Sequence, residues 1–301
     1  MVNQIDSRGN AFLDGLRDLN RRLMKVERLV AGGKRVEAAS DDPDAVSSLM
    51  SAKSDLARLQ QTNANLSRFK SEVDAAEGAL QQATKLFDRV RTLGMTGASG
   101  IQTELTRQGI AGEIGALMER MVGLANTQVD GRYIFSGDGD QTAPYGIDLA
   151  QNPPWTDYQG GAASRQAIHP TGVTFRVSLN AETIFNSPEA NKSVLQSMEN
   201  LRQALLANDE AAMQAALGPL GEVSAYLNSS LTFYGNVQSQ MTEALDAGAK
   251  MKLRLSTQVS ELEDADVTEA IVELQQVRFT QQAALEVKSQ IPRTSLFDYF
   301  G

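Results

Sequence analysis

Residues 42–94 read DPDAVSSLMSAKSDLARLQQTNANLSRFKSEVDAAEGALQQATKLFDRVRTLG, and Ala45, Ala52, Leu59, Leu66, Val73, Leu80 and Phe87 recur there at every seventh position. Asp at the N-cap, Pro43 at the first helical position and Asp44 in the first turn all favour a helix start. No further proline occurs before Pro144. Proline lacks the helix donor and clashes with the preceding turn, so its absence permits one helix from about 44 to 93, roughly 70 Å long. Leu49, Leu56, Phe69, Ala76, Ala83 and Val90 form a second stripe. Its alanines predict close approach by a partner helix. Gly94, Gly97, Ser99 and Gly100 are expected to break the helix.

The partner lies near the other end of the chain. Leu220, Leu227, Tyr234, Met241, Gly248, Leu255 and Leu262 repeat the same interval, and no proline occurs from 220 to 291. Both runs are long enough for coiled-coil seams. Five of the eight prolines (Pro144, Pro153, Pro154, Pro170 and Pro188) fall between the two runs. There the hydrophobic period also changes to two: Val173, Phe175, Val177 and Leu179 alternate with polar residues, as in a half-buried strand. The predicted fold is mainly α. It is an antiparallel rod of long coiled-coil helices from both chain ends, with a small central β-rich insert.

Shorter helices complete the plan. One spans about 4–30, with Leu16, Leu19, Leu23 and Val26 on its apolar side, and stops at Gly32 and Gly33. Others are expected at 104–126, 190–207, 209–217 and 267–290, the last carrying Ile271, Leu274 and Val277. Gly109, Gly112, Gly115 and Gly123 weaken the 104–126 helix by about 1 kcal/mol each relative to Ala. The expected domains are 1–40 with 267–301, terminal assembly segments; 41–130 with 189–266, the rod; and 131–188, the outer β-rich domain.

Composition narrows the function classes. Twenty-eight basic residues oppose 37 acidic ones, a net charge of −9, which argues against nucleic acid or an anionic membrane as the general partner. No apolar run approaches the roughly 20 residues of a bilayer span, and the start is too polar for a secretory signal. Without cysteine there is no disulfide, thiol catalysis or thiolate metal site. The single histidine, His169, stands beside Pro170 in an expected turn. Asp138-Gly139-Asp140 begins like a calcium loop but lacks the remaining ligands, so it reads as a turn. The chain is therefore read as a structural protein, not an enzyme, with no cofactor.

Several motifs carry a resemblance. Gly33-Lys34-Arg35-Val36 followed by Ser40-Asp41-Asp42-Pro43 resembles the N-terminal signature of the bacterial flagellin superfamily. Leu124-Ala125-Asn126-Thr127 with Asp130-Gly131-Arg132-Tyr133-Ile134-Phe135-Ser136-Gly137 is similar to the entry to the central domain in its hook–filament junction branch. Tyr158-Gln159-Gly160, Val177-Ser178-Leu179-Asn180 and the ending Ser295-Leu296-Phe297-Asp298-Tyr299 agree with that branch. Ala31-Gly32-Gly33 departs from it, standing where a Ser-Thr-Gly-like turn is common.

The resemblance implies an extracellular flagellar subunit, exported by the flagellar type III system without a cleaved signal peptide. Its implied partners are hook-associated protein 1, flagellin, copies of itself in a ring and an export chaperone. Its terminal segments are expected to lack partners within one chain and to order against neighbours. The candidate assembly seam is Leu16, Leu19, Leu23 and Val26 with Ile271, Leu274 and Val277, joined by Leu296, Phe297 and Tyr299 of the tail. An atypical flagellin is the alternative within the superfamily; a cytoplasmic coiled-coil adaptor would explain the heptads but not the insert.

Overall fold

A computed structural model describes residues 2–38 and 40–290, with side chains for 10–38 and 40–287. The helices are α1 (Val2–Gly32), α2 (Pro43–Gly97), α3 (Glu104–Ala125), α4 (Ala181–Phe185), α5 (Val194–Leu206), α6 (Glu210–Leu217), α7 (Leu220–Glu263) and α8 (Val267–Gln290). Between α3 and α4 lie four short strands, β1 (Gln128–Val129), β2 (Arg132–Tyr133), β3 (Gln166–Ile168) and β4 (Thr174–Arg176). The starts are capped as their sequences suggest. Asp42 Oδ1 accepts from the Ala45 N–H at 3.1 Å, and Thr103, Ser193 and Asp209 cap α3, α5 and α6.

The chain forms two compact units, Met1–Arg58 with Lys252–Gly301, and Leu59–Met251. Both long helices, α2 and α7, contribute to each unit.

In the 59–251 unit, α2 and α7 are antiparallel. Gln238 donates to Asp74 at 2.7 Å, and Gly248 faces Asn63, so later residues of one helix meet earlier residues of the other. The seam residues Leu66, Val73, Leu80 and Phe87 are buried, as are Leu220, Leu227, Tyr234 and Met241. Ile114, Met118 and Met121 of α3 and Leu195, Met198, Leu201 and Leu205 of α5 complete one continuous core.

Gly94 and Gly97 do not break α2, which runs to Gly97. Their role is close approach. A Cβ on Gly94 would meet Leu201 and Leu217 at 2.8 and 2.9 Å, and one on Gly97 would meet Leu205 at 2.5 Å. Packing against α5 and the end of α6 outweighs the low helix propensity of glycine here.

The insert shares this core. Phe135 packs edge-to-face on Phe185 and on Tyr234 of α7, with ring centroids 5.9 and 6.1 Å apart. Arg165 pairs with Glu72 of α2 at 2.5 Å and donates to the carbonyls of Gly137 and Tyr133. Its strands form only two two-stranded antiparallel ladders, β1–β2 and β3–β4. The alternation from Val173 to Leu179 becomes a ladder only at 174–176, opposite 166–168. Val177 then turns inward, its N–H donating to the Arg165 carbonyl at 2.9 Å, and ends the strand as a core residue.

Candidate assembly surface

The other unit is built on α1 and α8, which pack against each other. The Ala265 N–H donates to the Gly33 carbonyl at 3.0 Å, so the end of α1 meets the start of α8 and the helices run antiparallel. Val26, Ala270 and Val277 are buried between them. Arg22 pairs with Glu273 at 3.3 Å, Arg278 with Glu27 at 2.9 Å, and Gln281 donates to Asn20 at 2.7 Å. The terminal segments were expected to lack partners within one chain; over the described residues this is corrected. Their apolar rows are each other's partner, because both repeat at helical spacing and meet where the two linkers are joined.

The seam residues divide by depth. Val26 and Val277 are buried; Leu16, Leu19, Leu23 and Leu274 are half-buried; Ile271 is exposed. Leu296, Phe297 and Tyr299 lie outside the described residues. One helix contact covers only part of each apolar surface. Met24 on α1 and Val272 and Phe279 on α8 remain 57%, 61% and 73% exposed. Val272 and Phe279 are one heptad apart and lie on the face of α8 away from Val277. Sequence reasoning took a single stripe on α8 and passed over this second one; the signal was an aromatic residue, Phe279, outside the first stripe.

A polar clasp joins the two linkers. Glu263 is 6% exposed and receives Lys34 at 2.6 Å and Lys53 at 2.7 Å. Hydrogen bonds from Lys34 and Lys53 hold its carboxyl below the usual carboxylate range. The Arg35 N–H donates to the Glu263 carbonyl at 2.7 Å, and the Arg35 guanidinium donates to the Leu262 carbonyl at 2.9 Å and to Asp42 at 2.5 Å. Asp41 accepts the N–H groups of Ala38 and Glu37, which lower its carboxyl too. Lys34-Arg35 and Asp41-Asp42 are thereby explained as the parts of a folded linker. Gly33 supports it with φ of +65°, a conformation that favours glycine. Glu263 was missed because its partners are more than 200 positions away in sequence.

Nothing comparable gathers around the residues considered for chemistry. His169 sits in the β3–β4 turn, its Nδ1 2.7 Å from the Thr171 hydroxyl. Asp140 pairs with Arg132 and Arg165. Among the described residues no three metal-ligating side chains come together, and no helix is long and apolar enough to cross a membrane.

Comparison with known proteins agrees with this arrangement. The bacterial flagellin N-terminal helical region matches residues 9–140, and the bacterial flagellin C-terminal helical region matches residues 217–300. The chain is similar to flagellar hook-associated protein 3 of Escherichia coli, 25% identical over 253 residues, 84% of this chain and 78% of that protein. It is also similar to the flagellin of Bacillus subtilis, 24% identical over 296 residues, 92% of each chain. In fold it is similar to a flagellar hook-associated protein from Vibrio parahaemolyticus. That likeness has a TM-score of 0.64 at 21% identity and covers 74% of this chain and all of that one.

Proposed function

The chain belongs to the bacterial flagellin superfamily, and from that premise we propose that it is the structural subunit joining hook-associated protein 1 to the flagellin filament. One observation carries this reading. The likeness to hook-associated protein 3 covers 84% of the chain and 78% of that protein, too much to be carried by the helical ends without the 131–188 insert. The work asked of such a subunit is association, without an enzymatic step or a cofactor.

The proposed assembly surface is the α1–α8 pair. Leu16, Leu19, Leu23, Val26, Ile271, Leu274 and Val277 form its base, and copies arranged in a ring cover Met24, Val272 and Phe279. Exposed apolar residues on two adjoining helices support this, since burial in an assembly would remove them from water. The tail residues Leu296, Phe297 and Tyr299 belong to the same surface in this reading. The subunit reaches the cell exterior through the flagellar type III system with an export chaperone. A cysteine-free chain has no disulfide to form before or after that passage.

A second reading, a filament subunit, is favoured by the likeness to the Bacillus subtilis flagellin over 92% of both chains. Removal of the gene separates the two. Loss of a junction subunit leaves hook-bearing cells that release unpolymerised flagellin into the medium. If such cells keep attached filaments, or have no flagellin to release, the junction reading fails.

A further inference from the structure

Within the 59–251 unit, the end of α2, the turn that follows it and the start of α3 each carry a large apolar side chain in the open. Met95 is 60% exposed, Ile101 88% and Leu105 79%. The turn is held firmly. Arg107, 5% exposed, donates to the carbonyls of Gly97 at 3.0 Å and Ser99 at 3.3 Å. It also reaches across to Asn208 at 2.6 Å and Glu210 at 3.2 Å in the α5–α6 turn. Leu206, beside that second turn, is exposed as well. A buried arginine thus staples two turns into one platform whose outer face is apolar. Residues 95–107 and 206–210 hold Glu104, Asp209 and Glu210 against one base, the buried Arg107, which leaves the platform net acidic.

The same unit carries a complementary feature elsewhere. The β3–β4 hairpin exposes Ile168 and Val173 on either side of its turn. Residues 166–176 contain no acid, and their one full charge is Arg176, whose guanidinium lies 5.1 Å from the ring centroid of Phe233. Arg165, next to β3, is anchored at Glu72 of α2, whereas the stapled turn follows Gly97. Along α2 these places are 25 residues apart, 97 − 72, or roughly 37 Å at the helical rise. The hairpin of one chain is therefore too far from the platform of the same unit to cover it.

We propose that the Met95–Ile101–Leu105 platform receives the Ile168–Val173 hairpin of a second copy. Two different patches on one chain, apolar at their centres and opposite in charge at their edges, are what a head-to-tail contact between identical subunits requires. The rigid platform adds to affinity, because little freedom is lost when it docks. This contact rests on the assembly role proposed above and adds a named pair of surfaces outside the terminal helices.

The native absence of cysteine makes the test clean. Cells would carry two versions of the full chain, Ile101→Cys and Val173→Cys, and hook–filament particles would be sheared off and mildly oxidised. The expected result is a disulfide-linked dimer that needs both versions. Glu104→Lys should lower its yield roughly two- to fivefold, the range of an exposed ion pair, and Arg176→Glu in the other version should restore it. The contact is overturned if the chain is present in the particles but the dimer is no more abundant than with Ala249→Cys, or if Ile101→Cys links to itself or to another flagellar protein. If the chain is missing from the particles altogether, the junction reading fails instead, and the two failures are told apart.

Discussion

The 59–251 unit and the unit made from the two chain ends are built from the same kind of helix, yet they finish folding to different degrees. In the first, Leu80, Phe87, Val90, Ile114, Met118, Leu195, Leu205 and Met241 are fully buried. In the second, even the central pair Val26 and Val277 keeps slight exposure, and α8 leaves Val272, Phe279, Leu285 and Val287 largely in solvent. The difference is the number of neighbours per helix. In the first unit α2 meets α3, α5 and α7, whereas among the described residues α1 and α8 pack on each other. An amphipathic stripe wider than one contact stays partly wet, and such a stripe waits for another surface.

Breaking the core of the 59–251 unit should cost most. Phe87→Ala should destabilise the 59–251 unit by about 3–5 kcal/mol, the usual loss for a buried phenylalanine, measured by urea unfolding. A smaller effect is expected at the close helix contact. Gly97→Ala places a methyl 2.5 Å from Leu205 and should cost about 1–3 kcal/mol in the same assay.

The unit of the chain ends should respond to its clasp. Glu263→Gln should cost about 1 kcal/mol, since both lysine partners remain half in water. Because the folded Glu263 carboxyl is held low, its contribution is fully present above the unfolded value of about 4.3. It is lost as pH falls through the lower folded value. Urea unfolding followed against pH should show a larger acid loss in the native chain than in the variant, where the lowered carboxyls of Asp41 and Asp42 still contribute.

Phe279→Ala should sharpen the comparison with the smallest change of all. Being 73% exposed, it should alter monomer stability by no more than about 0.5 kcal/mol while reducing incorporation into hook–filament particles. A large loss of monomer stability would show that Phe279 is already buried in the single chain.

The helices were legible because local rules dominate them. Proline-free stretches, seven-residue rows and acidic caps set the bounds of α2, α7 and α8 to within a few residues. The insert was less legible because tertiary contacts override its pattern. Val177 alternates correctly for a strand but leaves the ladder to join the core, and the Arg165–Glu72 pair spans 93 positions. Gly94 and Gly97 show the same limit, since a glycine that ends a helix and one that admits a neighbouring leucine look alike in sequence. In the α1–α8 pair, the apolar rows that hold Val26 and Val277 followed from spacing. The Glu263 clasp and the outer face of α8 did not, because each depends on which residues another helix covers.

The Glu263 clasp also determines how the chain would bear tension. A pull exerted on α1 does not travel down a single strand of polypeptide. At Gly33 it divides: one share continues through the linker into α2, and another crosses the hydrogen bonds between Gly33 and Ala265 and between Arg35 and Glu263 into α7. Those crossing bonds, with the Lys34–Glu263 pair, sit side by side, so sliding one linker past the other loads them together rather than one after another. The joint acts as a yoke, spreading mechanical load across both legs of the subunit before either linker is stretched.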